Sequence, residues 1–408
     1  MRILIIISAM CVAQGASAQE WAGWRGGQQG VVLKDQAPAR WPAAVTQQWR
    51  LPVGEGCSSP VASGGLVFVH SRNDPEEVVT AVDAASGKVK WRKTYPAPYE
   101  KNQYATKMMK GPNSTPLVAE GRLYTLGATG ILTAWKTADG ALLWRNDYSD
   151  SVTMSKLFCG TSASPIMDEG SLIVNVGSDQ HGGRILALDP ATGKERWKWS
   201  GEGPGYATPT AVTVDGIRQI ITLTGGSVVG VDSKTGEGLW TIPFKDEWEE
   251  NIVTPIWTGQ QLIVSGTRLG TMAYDLHHEG DKWRAERGWH NTDVPMYMSS
   301  PVLLSGTLYG FSNKKRGHLF ALDTKTGEVK WASEGRDGDN ACVLLTPTNV
   351  VYLTSAGSLR IVAPNPSKYE EVRRLDVAES QTWCVPILLP DGMILRDRDG
   401  LMRIRFGP

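Results

Sequence analysis

One phrase recurs along most of this chain and leaves little freedom over what it can fold into. Ala81-Val82-Asp83 leads to Gly87 and Trp91, Ala187-Leu188-Asp189 to Gly193 and Trp197, and Ala321-Leu322-Asp323 to Gly327 and Trp331. Two looser copies keep the frame, at Ala134, Lys136, Gly140, Trp144 and at Gly230, Asp232, Gly236, Trp240. A sixth, Ala273, Asp275 and Trp283, has its glycine displaced to Gly280. The third positions, 83, 136, 189, 232, 275 and 323, are spaced by 53, 53, 43, 43 and 48 residues. Repeats of that length hold about four short strands each, the size of one blade of a β-propeller.

A second phrase interlocks with the first. Ser59-Pro60, Thr115-Pro116, Ser164-Pro165, Thr208-Pro209, Thr254-Pro255 and Ser300-Pro301 each precede a short apolar stretch rich in Val, Ile, Leu and Thr. A glycine turn and another β-rich stretch follow, as in Gly65-Leu66-Val67-Phe68-Val69. Segments opening at Cys342-Val343 and Val385-Pro386 repeat the pattern without its full ending, which makes eight units. The eighth has room for three strands, Ile387–Leu389, Met393–Arg396 and Met402–Phe406, and lacks a tryptophan strand. Gln48-Trp49-Arg50-Leu51-Pro52, ahead of the first unit, reads as the missing one. Pairing the two ends removes the open sheet edges that an unclosed array would expose. The expectation is an all-β fold, an eight-bladed propeller of four-stranded antiparallel blades over residues 45–408, its last blade closed by the N-terminal strand. Residues 19–44 form an extension before it.

The Asp-to-Gly part of the phrase is hairpin chemistry. The aspartate accepts backbone N–H bonds and the glycine takes the left-handed position. The spacing does not match a D-x-D-x-D-G calcium loop. The 42 basic and 42 acidic residues cancel, and no basic tract stands out to hold a nucleic-acid backbone. At the front, Arg2, the apolar run Ile3–Val12 and Ala16-Ser17-Ala18 read as a signal peptide over residues 1–18, cleaved near Ala18. That run is too short to span a bilayer, and nothing later resembles a membrane helix. The chain is therefore expected to be exported, to a periplasm or beyond. Cys11 raises a lipoprotein alternative, against which Met10 stands where a small residue is needed.

Four further cysteines, Cys57, Cys159, Cys342 and Cys384, each lie shortly before the first strand of a unit. All four should meet on one rim near the axis. An exported chain is compatible with a disulfide among them, and its pairing is open. Small apolar side chains at the entry to inner strands are the plainer reading.

The eleven-residue frame Ala-x-Asp-x-x-x-Gly-x-x-x-Trp resembles the tryptophan-docking motif of the pyrroloquinoline-quinone (PQQ) repeat family. The resemblance implies that Trp91, Trp144, Trp197, Trp240, Trp283 and Trp331 pack between neighbouring blades, each indole N–H on a backbone carbonyl. The start Trp21-Ala22-Gly23-Trp24-Arg25-Gly26 is similar to that of exported proteins of this family; two tryptophans with an arginine could fold back onto a blade or plug one end, with a partner-binding arm as the other reading. The family implies two classes of function. Quinoprotein alcohol dehydrogenases hold PQQ and Ca2+ at the mouth of an eight-bladed propeller, and BamB-type assembly factors use the blades as a binding surface. This chain has no adjacent Cys-Cys pair, no C-x-x-C-H and no large insertions, which weighs against a PQQ- and calcium-dependent alcohol or sugar dehydrogenase. The reading favoured is a non-catalytic scaffold for a protein partner or a small polar or aromatic ligand.

The turns of the phrase belong at one end of the barrel. Loops entering each first strand, and loops joining second to third strands, gather at the other. They carry Tyr99, Lys101, Lys107, Lys156, Phe158, Trp248, Glu249 and Tyr297. Lys110, Glu250, Asn251, Asn340 and Trp383 directly precede inner strands and are the leading candidates for ligand contacts, with no catalytic role and no metal assigned to them. The histidines are scattered, so a zinc site is not expected.

Overall fold

The computed structural model describes residues 20–408 except 28, 106–108, 153–156, 179–181, 246–249, 281 and 408; the signal-peptide reading lies outside the described residues. Eight four-stranded antiparallel sheets form a ring. Blades 1 to 7 take up residues 61–96, 117–147, 166–201, 210–243, 256–291, 302–332 and 341–376. Blade 8 joins three strands of residues 387–406 to the N-terminal strand Val45–Leu51, which pairs from Val45↔Phe406 to Leu51↔Leu401. Both ends of the chain thus close one sheet.

The middle strands of a blade are covered on both faces by its neighbours, which is why they read as unbroken apolar runs. Ser171–Ser178, for instance, is buried at every position. Outermost strands alternate, and the buried side chain of Glu195–Gly201 is Trp197. The turn before that strand behaves as its composition predicts. Asp189 accepts N–H bonds from Ala191 and Thr192 at 3.1 and 3.0 Å, and Gly193 sits at φ 70°. Bonds from Arg196, then from Thr192, hold its carboxyl down near 2.

Each turn has a second duty. The docking tryptophan of one blade lies on the turn of the next. Trp49, Trp91, Trp144, Trp197 and Trp289 donate to the carbonyls of Ala84, Thr137, Pro190, Ser233 and Thr324, at 2.8 to 3.2 Å. Each acceptor immediately follows the third position of the frame. The indole rings rest on Gly87, Gly140, Gly193, Gly236 and Gly327, where a β-carbon would stand 2.5 to 2.7 Å from the ring. The glycine is therefore required twice, for its backbone and for its missing side chain. Trp331 reaches Asn365 of blade 7 in the same way, at 2.8 Å.

Two expected docking residues behave otherwise. Trp283 does not dock; Trp289 does. The last two strands of blade 5 run long, Gly270–Glu279 and Lys282–Asn291, so Ala273 pairs with Trp289 and Gly280 falls near the hairpin tip. Trp283 stacks instead on His278, ring centroids 4.5 Å apart. Because that long hairpin offers no short turn, Trp240 of blade 4 turns its N–H to Gln219 of its own blade, at 2.8 Å. Blade 7 carries Arg373 at the docking position, opposite Ile361.

The Ser/Thr-Pro phrase proves to be an inner belt. The backbone N–H of Val385 donates to Ser59 Oγ, that of Ser59 to Thr115, Thr115 to Ser164 and Ser164 to Thr208, at 2.9 to 3.4 Å. Thr254 likewise donates to Ser300, and Ala341 back to Ser299. Among the described residues no such bond crosses from blade 4 to 5 or from 7 to 8. Those are the two seams without a docked indole. Apolar side chains seal them: one cluster joins Trp240, Ile242, Tyr274 and Leu276, and another joins Leu353, Leu359, Leu388 and Leu395.

Gly193→Ala and Gly216→Ala separate the two demands on a turn glycine. Gly216 is also left-handed, at φ 80°, yet has nothing within 4 Å of an added β-carbon. Chemical unfolding should show Gly216→Ala losing about 1 kcal/mol from backbone strain alone. Gly193→Ala should lose about 3 kcal/mol, since its methyl also meets Trp144. Equal losses would remove the second role.

Candidate functional site

The extension after residue 19 settles one end of the axis. Trp21 pairs with Ala62 of blade 1 through two backbone bonds of 2.8 and 3.0 Å, and Ala22 accepts from Val118 of blade 2. Residues 30 and 32 bond Leu345 of blade 7 from the other side. Between them Arg25 takes a left-handed conformation, φ 52°, and its buried guanidinium donates to the carbonyls of Pro301 and Val343 at 2.7 and 3.0 Å. Burial brings this guanidinium down to about 10. The segment is a plug. Trp24, beside Arg25, faces the opposite rim and donates weakly to Thr254 Oγ1 at 3.4 Å.

Above Trp24 a funnel of about 440 Å³ opens to the loop rim. Glu250, Asn340 and Trp383 line it, as do Lys101, Phe158 and Tyr297. Glu250 Oε1 accepts the Tyr297 hydroxyl at 2.7 Å. Burial, then that bond, pushes the phenol far above its usual range. Asn340 is only 7 % exposed, its amide 3.9 Å from the Met298 sulfur. Trp383 is half-buried, with its N–H 3.4 Å from Gln381.

The other two candidates stand away from the wall. Asn251 is fully buried, its amide donating to the carbonyls of Thr224, Gly225 and Phe244 at 2.8 to 3.3 Å. It fastens the blade 4 rim loop to the connection that follows. Lys110 forms an ion pair with Asp74, and that bond lowers the Asp74 carboxyl. Lys107, Lys156, Trp248 and Glu249 lie outside the described residues. The sequence reading missed Trp24 at the floor and Glu55, Arg398 and Asp399 at the mouth. Position could have found Arg398 and Asp399, since they occupy the second-to-third-strand loop of blade 8. Nothing local marks Glu55.

The four cysteines do converge on this rim, all as free thiols. Cys57, Cys159 and Cys342 line the funnel, and Cys384 lies behind them with its sulfur 3.2 Å from the Cys57 carbonyl oxygen. Burial raises Cys159 and Cys384 to about 11 and Cys342 to about 12, and raises Cys57 as well. The long loop on the funnel's blade 1 side hangs from a buried anchor. Arg72 donates to the Ala97 carbonyl and to Glu77 at 2.7 and 3.0 Å, and its guanidinium lies over the Tyr99 ring. Glu77 also accepts from Tyr95 and the Ala128 N–H at 2.7 and 2.9 Å, with His70 at 3.3 Å. Burial alone would raise the Glu77 carboxyl, but these partners hold it below its ordinary value.

Among the described residues no three His, Cys, Asp or Glu side chains gather to hold a metal ion. Calcium asks for six to eight oxygen ligands, several of them carboxylates. Among the described residues Glu55, Glu250 and Asp399 on the funnel wall are not so grouped and do not by themselves form a calcium site.

The family model described as "Outer membrane protein assembly factor BamB" matches residues 42–110 and 75–333, well over half of the chain. The chain belongs to this family of PQQ-like repeat propellers. Relatives carrying that description are 24% identical over 366 residues in Burkholderia pseudomallei, covering 87% of this chain and 86% of that one, and 23% identical over 276 residues in Yersinia pestis, covering 65% and 63%. A quinohemoprotein alcohol dehydrogenase of Comamonas testosteroni is 25% identical over 274 residues, 58% of this chain but only 35% of the enzyme. The chain thus spans between a third and two thirds of the length of the Comamonas and Yersinia proteins. Among solved structures, BamB from Moraxella catarrhalis superposes with a TM-score of 0.61 at 16% identity, over 89% of this chain and 97% of that one. The Comamonas dehydrogenase reaches 0.65 at 14%, over 94% and 80%. Both share the fold. No described helix of this family member is long and apolar enough to cross a membrane.

The buried anchor sets an acid limit. A carboxyl lowered on folding stabilises above its unfolded value of about 4.3, and that contribution is lost as pH falls through the folded value. Glu77→Gln should cost about 3 kcal/mol at pH 7 and flatten the fall in melting temperature on acidification. An unchanged acid limb would contradict this. Iodoacetamide should alkylate the native thiols at pH 8 about tenfold or more slowly than the unfolded chain, because the raised thiols carry little thiolate; equal rates would contradict that rise.

Proposed function

We propose that this protein is an exported, non-catalytic propeller scaffold whose axial funnel is its binding site. One observation carries the reading. The N-terminal plug shuts the axis from the turn side, leaving a lined funnel open at the loop rim, where the non-repeating residues collect. Among the described residues no metal-binding group of side chains forms within it. Such a lined funnel is suited to holding a ligand. Relatives described as an assembly factor for outer membrane proteins support a binding role. Export rests on the N-terminal apolar run and Ala16-Ser17-Ala18, and calls for a chain beginning at Gln19 outside the cytoplasm.

The second reading, a PQQ- and calcium-dependent alcohol or sugar dehydrogenase, is supported by the dehydrogenase relatives alone. Melting the protein with saturating PQQ and Ca2+ decides between them. The scaffold reading expects no shift in melting temperature and no dye-linked alcohol oxidation. A cofactor-dependent rise together with oxidation would overturn it.

A further inference from the structure

The funnel has two chemically distinct zones. Its mouth is ringed by Glu55, Lys101, Gln381, Arg398 and Asp399, four of the five exposed. Its interior is aromatic and soft: Trp24, Phe158, Tyr206, Tyr297, Trp383 and Met298, with thiols between them. Aromatic and thioether surfaces give large contact area and adapt to flat apolar groups.

Several polar atoms inside already accept or donate within the protein, while Asn340 Oδ1 has no partner among the described residues. Ser164, Thr208 and Ser300 accept the belt bonds. The Tyr206 hydroxyl accepts the Phe158 N–H at 2.8 Å, that of Tyr297 is given to Glu250, and Asn113 donates to the Cys159 carbonyl at 3.1 Å. A free metabolite relies on a few convergent polar groups to fix its orientation. This interior offers a few, chiefly the Asn340 amide, amid much more aromatic and thioether surface, whereas the mouth is charged. The occupant should therefore be apolar at its tip and polar behind it.

Building on the scaffold reading, we infer that the funnel is a socket for one aromatic side chain presented on a partner polypeptide, whose flanking backbone and polar groups meet the charged mouth. An apolar pit inside a polar ring is the arrangement in which a single anchor residue carries most of an interface's energy.

Calorimetric titration of the full chain tests this with three probes. Indole reports the pit alone, Gly-Trp-Gly the pit plus flanking backbone, and Gly-Ala-Gly the backbone alone. Gly-Trp-Gly should bind about tenfold more tightly than indole, and Gly-Ala-Gly should not bind. Trp383→Ala should weaken Gly-Trp-Gly about tenfold with little change in melting temperature. Should that variant fail to fold, Trp383→Leu keeps an apolar wall while removing the ring, and is expected to weaken it as well. Indole binding as tightly as Gly-Trp-Gly, or an undiminished affinity in the folded variant, would overturn the polypeptide anchor and leave the funnel as a binding site. Failure of both indole and Gly-Trp-Gly to bind would overturn the funnel reading too.

Discussion

A blade is a twisted sheet with two apolar faces, so none is stable until both are covered by neighbours. Everything else in this protein follows from how the seams between blades are held. At the outer edge an indole from one blade sits on the glycine of the next and donates to the carbonyl beside it. Near the axis a hydroxyl from one Ser/Thr-Pro phrase takes the backbone N–H of its neighbour. Each bond contributes only about 1 kcal/mol. Together they fix the rotation of one blade on another, which apolar contact alone would leave loose.

The architecture was legible because these requirements repeat. A turn that needs a left-handed residue, a missing side chain and a carbonyl acceptor can be met by few sequences, so the same letters return at a nearly fixed interval. The closing strand could be read for the same reason, as Trp49 supplies the eighth blade's missing element. Blade 5 misled because the frame at Ala273 continues into a longer hairpin; Trp283 fits the spacing, yet Trp289 has the register. The part played by Ser and Thr before proline was invisible, since a bond to the next blade leaves no local pattern.

The funnel was legible only in outline. Preceding an inner strand puts a residue at the rim but does not say which way it faces. Asn340 and Asn251 both sit in loops that enter inner strands, and one lines the funnel while the other is spent on three backbone carbonyls. Trp24 could not be placed at all from its neighbours. Its position depends on Arg25 reaching carbonyls 276 and 318 residues away in sequence. Such sites are assembled by the fold and have no short-range signature.

The two seams without belt or docked indole give the ring an anatomy of its own. Blades 8 and 1 to 4 form one stapled arc, and blades 5 to 7 form another. Where the arcs meet, apolar side chains fill the seam and the polar bonds come from the connecting loops: the Tyr206 N–H donates to the Asn251 carbonyl at 2.8 Å, and the Thr382 hydroxyl to that of Thr354 at 2.6 Å. The connections that cross those joints carry Glu250 and Trp383, two walls of the funnel. The bore of the socket is therefore tied to the two seams that lack both belt and docked indole, as the jaws of a collet are tied to its slits.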